Sequence, residues 1–177
     1  MKISPLKIQG AALVEIVPLG DERGFFARSF CVQEFEDAGL ELDIGQSNLS
    51  YNIHKGTLRG MHYQADPKPD PKLVSCLSGA IFDVVVDIRK GSDTFCEWVG
   101  VELTADNHKS LFVPPGCAHG FITLTDDALV QYQMGEVFVP DLARGLRWDD
   151  PTFAIDWPLQ PLTIAERDAK YPDFKGD

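Results

Sequence analysis

Short runs of alternating or continuous apolar residues succeed one another along the chain: ALVEIV, GFFARSF, QSNLSYNI, TLRGMHYQ, KLVSCL, AIFDVVVDIR, FCEWVGVEL, SLFVP, GFITL and ALVQYQMGEVFV. Turn-forming stretches separate them, among them PLGDERG, LSG, KGSD, PPGCAHG and LTDD. Many short strands at this spacing predict an all-β sandwich or small barrel. Helical periodicity occurs twice. In CVQEFEDAG, Val32, Phe35 and Ala38 fall on one side and Gly39 is a terminator. In LTIAERDAK, Thr163 with Glu166 three residues on has the form of a capping box. No internal repeat, linker or low-complexity tract divides the chain, so residues 1–177 are expected to form one domain with one or two short helices.

Composition narrows the function classes. A chain of 177 residues, 44% hydrophobic, can bury one compact core. No apolar run reaches bilayer-spanning length, and MKISPLKIQG lacks the features of a secretory signal, so a cytoplasmic protein is expected. Cys31, Cys76, Cys96 and Cys117 are scattered without a CxxC pair, which predicts reduced, packed cysteines rather than a zinc site or disulfide framework. A formal net charge of -11 repels nucleic acid and anionic membranes. An anionic ligand would therefore need a locally basic pocket, which adds weight to basic residues inside strand patterns.

Two such places contain histidine. In TLRGMHYQ a period of two puts Leu58, Gly60, His62 and Gln64 on one face, with Arg59, Met61 and Tyr63 on the other. A bulge at Gly60 would re-aim either set, so register alone leaves open whether Arg59 and His62 share a pocket. Read alone, His62 is a hydrogen-bonded core residue and Arg59 a surface cation. In PPGCAHGF, small residues around His119 leave room for another group, although a turn histidine making one local bond fits the pattern equally. His54, His62, His108 and His119 form no His-x-His and have no carboxylate at metal spacing, so no metal is expected. In AIFDVVVDIR, Asp83, Val85 and Asp87 share a face; propensity favours a solvated face, with Lys72 and Arg89 as candidate partners. Tyr132 sits mid-strand, where a core tyrosine with a satisfied hydroxyl is the ordinary case.

The order and wording of the motifs carry more than any of them alone. DERGFF, QSNLS, GTLRGMHYQ, KLV, GAIFDVVVDIR, SDTF, VGVELTADN, FVPPGCAHGF, LRWDDP and WPL together closely resemble the dTDP-4-dehydrorhamnose 3,5-epimerase family, from about Val17 to the C-terminal helix. The resemblance implies a cupin-like β jelly roll, active without metal or organic cofactor, usually as a homodimer. It implies a nucleotide-linked 4-keto-6-deoxy sugar as substrate, whose C3 and C5 protons are acidified by the C4 ketone. On the family pattern His62 is the base and Asp168 orients it; imidazole accepts a proton near neutral pH. Tyr132 returns a proton on the opposite face. Lys72 lies near the C4 oxygen, where a fixed cation is worth roughly 3 to 4 kcal/mol. Arg59 matches a diphosphate ligand and His119 a pocket position. Arg23, Gln46 and Asn48 match nucleotide-binding positions, some contributed across the dimer interface, and Phe26, Arg28 and Phe138 are further substrate-binding candidates.

The chain departs from that pattern on the binding side. Arg28 stands where the family commonly has glutamate, Phe138 where it has tyrosine, Ala143 where it has an acidic residue, and ADPKPDPKLV differs before the lysine. Phe138 can stack on a base but cannot donate a phenolic hydrogen bond. The alternatives are an epimerase acting at C3 only or on another nucleotide sugar, a non-catalytic sugar-nucleotide-binding cupin, and a metal-dependent cupin oxygenase.

Overall fold

The computed structural model describes residues 1–176 and is almost entirely β, as expected. The strands are β1 (Lys2–Pro5), β2 (Ala12–Glu15), β3 (Leu19–Asp21), β4 (Gly24–Phe26), β5 (Gln46–Asn52), β6 (Thr57–Gln64), β7 (Lys72–Ser78), β8 (Ala80–Asp87), β9 (Trp98–Thr104), β10 (Lys109–Val113), β11 (Cys117–Thr123), β12 (Ala128–Met134), β13 (Ala143–Gly145) and β14 (Thr163–Ile164). Two short helices, α1 (Val32–Asp37) and α2 (Glu166–Ala169), complete the elements used below.

One sheet has the order β1-β2-β10-β7-β12-β5 and a second β13-β6-β11-β8-β9, with β14 added in parallel to β6; β3 and β4 form a separate hairpin. The two large sheets face each other as a jelly-roll sandwich. Val74, Leu111, Val113 and Val130 from the first pack with Ile81, Val85, Leu103 and Phe121 from the second. Outside the second sheet, Met61, Val84, Val86 and Ala118 are covered by Leu146, Phe153 and Trp157. The carboxylate face of β8 is not the solvated one expected: Asp83 and Asp87 share the inner face of Val85, which the first sheet covers. Both faces of β8 are buried, and Asp83 and Asp87 are each 0% exposed. Asp87 takes Arg89 as its partner (Nη2–Oδ2 2.7 Å), and Asp83 takes His119 rather than Lys72 (Nε2–Oδ1 2.7 Å).

Some boundaries also move. PPGCAHG, expected as a turn, already belongs to β11 from Cys117, with all seven residues of that strand buried. FCEWVGVEL becomes strand only at Trp98, because Cys96 adopts a positive φ of 65°. The capping box at Thr163 is not formed. Thr163 pairs with Thr57 in β14, and α2 starts after Ala165 with no side-chain cap. Gly39 ends α1 as expected, at φ +72°, with its N–H donating to Glu36 O at 2.9 Å.

Candidate active site

The bulge left open by the sequence is present, and it builds the site. On β11, His119 and Phe121 are two residues apart; their partners on β6, His62 and Arg59, are three apart. One extra residue on β6 switches its parity, so Arg59 and His62 both face the interior that His119 and Phe121 face. Gly60 makes this possible. Its φ is +134°, and a Cβ there would stand 2.5 Å from Gly120 Cα. His62 and Gln64 therefore share a face with Arg59 and not with Leu58.

A cavity of about 1000 Å³ opens between the sheets at this end. The second sheet contributes Arg59, His62, Gln64 and His119, and the first contributes Asn48, Lys72, Tyr132 and Met134. Phe138, Arg144, Arg167, Asp168 and Tyr171 complete much of the wall. In a chain of net charge -11, the wall carries the cations of Arg59, Lys72, Arg144 and Arg167 against the carboxylates of Asp70 and Asp168. This is the locally basic pocket that an anionic ligand needs.

His62 is reachable from the cavity, with 34% of its side chain exposed, and its Nε2 lies 2.8 Å from Asp168 Oδ1. Burial pushes the Asp168 carboxyl up, but the bond from His62 and the Gly60 N–H on Oδ2 (3.3 Å) outweigh it and hold the group below its ordinary value. An ionised carboxylate only accepts, so Nε2 donates to it, and Nδ1 is the nitrogen left to exchange a proton with a ligand. The resemblance named Asp168, and the structure shows how α2 and the β6 bulge bring it to the ring. Arg167 adds a guanidinium 3.4 Å from the same Nε2.

Across the cavity, Tyr132 on β12 retains its proton and meets His119 of the second sheet. Tyr132 packs edge-on to the His119 ring at 5.9 Å and against Phe121. Burial first, and the charge of Asp83 second, push its phenol far above the ordinary value, so it remains protonated. His119 is 4% exposed and fixed by Asp83, whose Oδ2 is buried without a hydrogen-bond partner among the described residues. Burial also raises the Asp83 carboxyl, against the attraction of His119 and Lys72. Lys72 Nζ pairs with Asp70 Oδ2 at 2.8 Å.

The remaining sequence candidates divide. Arg59 is aimed by Asn52 (Nε–Oδ1 2.7 Å) and Asn48 lines the cavity, while Gln46 fixes the Phe138 N–H through Oε1 at 2.8 Å. Arg23, Phe26 and Arg28 do not line this cavity. Arg23 pairs with Asp21 in the exposed β3–β4 hairpin, Arg28 pairs with Glu34 at 2.7 Å, and Phe26 is 76% exposed.

The family model for dTDP-4-dehydrorhamnose 3,5-epimerase matches residues 5–176. The chain belongs to this family. It is an isomerase of the epimerase kind. The dTDP-4-dehydrorhamnose 3,5-epimerase of Methanothermobacter thermautotrophicus is 43% identical over 171 residues, 95% of this chain and 91% of that one. The crystal structure of the Bacillus anthracis enzyme with TDP and PPi bound superposes with a TM-score of 0.94 at 40% identity, covering 98% of this chain and 99% of that one. That of Legionella pneumophila, in complex with dTDP-4-keto-L-rhamnose, gives 0.90 at 40% identity, covering 96% and 90%.

Sequence reasoning missed Asp70, Arg144, Arg167 and Tyr171 as parts of the epimerase cavity. Arg167 adjoins Asp168, which was a usable signal. Tyr171 had none, since its seat depends on Gly145, where a Cβ would stand 2.2 Å from the ring.

Proposed function

We propose that the enzyme converts dTDP-4-dehydro-6-deoxy-D-glucose to dTDP-4-dehydro-L-rhamnose, inverting C3 and C5 through enolates. The observation that carries this reading is the placement of a base and an acid on opposing sheets. His62 with Asp168 stands on one wall of the cavity and the protonated Tyr132 on the other. Inversion needs this pairing, because the proton leaves one face of the sugar and returns on the other.

In each half-reaction His62 Nδ1 accepts the carbon-bound proton, and the imidazolium is stabilised by ionised Asp168. Negative charge gathers on the C4 oxygen, where the Lys72 ammonium meets it. Tyr132 then donates its phenolic proton to the opposite face. Proton exchange with water returns His62 to the neutral form and the Tyr132 phenolate to the phenol before the next half-reaction. Arg59 holds the diphosphate, and Phe138 offers a ring to the base.

The reading extends to a homodimer, in which the β3–β4 hairpin brings Arg23 and Phe26 to a second copy's cavity. Support comes from Leu19, Phe25 and Phe26, exposed at 69%, 52% and 76%, and from Leu49, Tyr51 and Ile53 exposed along and just beyond the edge strand β5. Among the described residues no helix is long and apolar enough to cross a membrane, and we read the enzyme as one cytoplasmic domain.

The test is NMR of dTDP-4-keto-6-deoxyglucose with enzyme in deuterium oxide, with and without chelator, coupled to a 4-ketoreductase. Deuterium at both carbons and an L-sugar product are expected, in either condition. Exchange at C3 alone would make the enzyme a 3-epimerase. Nucleotide binding without exchange would point to another sugar or a binding cupin, and loss of activity to chelator would revive a metal-dependent reaction.

A further inference from the structure

Lys72 and Asp70 are almost shut away from water, with 7% and 6% of their side chains exposed. An ammonium in such a place requires a fixed counter-charge, and Asp70 Oδ2 supplies it at 2.8 Å. The other oxygen of Asp70 accepts the backbone N–H of Gln64 at 3.1 Å, which ties the carboxylate to β6, the strand that bears His62. Gln64 is itself clamped. Its Nε2 donates to Lys68 O at 2.6 Å, and its Oε1 accepts the Val139 N–H at 2.7 Å. The Asp70 loop is thus fastened both to β6 and to the segment following β12.

We infer that Asp70 is a positioning residue for Lys72, fixing its ammonium in register with the base on β6. Asp70 stands against one side of the ammonium as an ion pair at 2.8 Å, leaving its other side for the oxygen at C4. The identity of that oxygen rests on the proposed epimerase reading; the pair itself does not. A second charged group, Asp83, acts on Lys72 from β8 through its charge alone. Its Oδ1 is committed to His119, its Oδ2 has no hydrogen-bond partner among the described residues, and neither oxygen forms an ion pair with the ammonium. The arrangement exchanges some positive field at the oxygen for a fixed direction. Small displacements of a catalytic group carry rate losses on the order of 100-fold.

The experiment compares Asp70→Asn, Lys72→Met and the double variant. Asparagine keeps an acceptor for the Gln64 N–H and removes the charge. Asp70→Asn is expected to slow deuterium exchange about 10- to 100-fold through kcat, with dTDP affinity within about threefold. In the Lys72→Met background the same change should cost less than about twofold, because Asp70 acts only through the ammonium. Equal losses in both backgrounds, an Asp70→Asn rate within about twofold of the parent, or a matching loss of dTDP affinity would overturn the inference. If Asp70→Asn does not fold, the double variant, which restores neutrality, should; its failure too would assign Asp70 to folding alone. A 1H–15N spectrum of the lysine ammonium groups, with Lys72 identified by its absence in Lys72→Met, needs no substrate. An unmoved Lys72 signal in Asp70→Asn refutes the positioning role, whereas a parent enzyme inactive on the nucleotide sugar refutes only the proposed function.

Discussion

His62 and His119 are register partners on adjacent antiparallel strands, yet each is gripped through Nε2 by a different buried carboxylate, Asp168 for one and Asp83 for the other. Their exposures separate their roles. His62 opens onto the cavity at 34%, whereas His119 is 4% exposed and packs edge-on against Tyr132. Of the two, only His62 combines a nitrogen free of the carboxylate with substantial exposure to the cavity, which fits the proposed base.

His62→Ala should therefore lower deuterium exchange at C3 and C5 by about 10² to 10⁴-fold, the range of a positioned general base. Affinity for dTDP, measured by calorimetry, should stay within about threefold, since Arg59 and Phe138 are untouched. Exchange at the parental rate would remove His62 from the base role.

Tyr132→Phe separates the two halves of the reaction. The ring still packs against His119 and Phe121, but the phenolic proton is gone. Deuterium exchange at C3 should persist at roughly a tenth of the parental rate or more, while inverted product falls about 100-fold. Equal loss of exchange and inversion would assign the tyrosine to holding the cavity open.

How much of this was legible in the sequence depends on the interaction that sets each feature. TLRGMHYQ alternates and is strand over that whole run, because local pattern decides it. The parity of its side chains was not readable, since the extra residue at Gly60 is defined only against β11. Asp83 and Asp87 followed the same rule. A carboxylate in a β8 pattern looks solvated until the 146–157 segment covers the outer face and the opposing sheet covers the inner one. The capping box at Thr163 failed because pairing with β6 claimed that backbone first. Motif order across the whole chain carried the family, and geometry then explained why Arg59 and His62 stand three apart.

Gly60→Ala tests that explanation. The added methyl would meet Gly120 Cα at 2.5 Å from a φ of +134° that L-residues rarely adopt. Overpacking and backbone strain together should cost about 3 kcal/mol or more. For a chain of this size that lowers the unfolding midpoint by about 6 to 12 °C. Activity should fall even below that midpoint, because removing the bulge turns His62 away from the cavity. A variant with parental midpoint and turnover would show that the close approach does not constrain the site.

Asp87 makes the acid stability of the fold testable without touching the active site. Burial pushes its carboxyl up, but the bonds from Arg89, Ser92 and Thr94 more than reverse this and hold it far below the ordinary value. A group whose native value is depressed stabilises the fold fully above the unfolded value of about 3.9, and that contribution is lost as pH falls toward the native one. Asp87→Asn breaks a buried pair and should cost about 3 kcal/mol at pH 7. Urea unfolding followed by tryptophan fluorescence should show a gap between parent and variant that is constant above about pH 5 and narrows below about pH 4. Titrations shared by both proteins cancel in that difference. A gap as wide at pH 3 as at pH 7 would mean that the network holds the 87–94 loop through shape and neutral hydrogen bonds, with the charge of Asp87 contributing nothing.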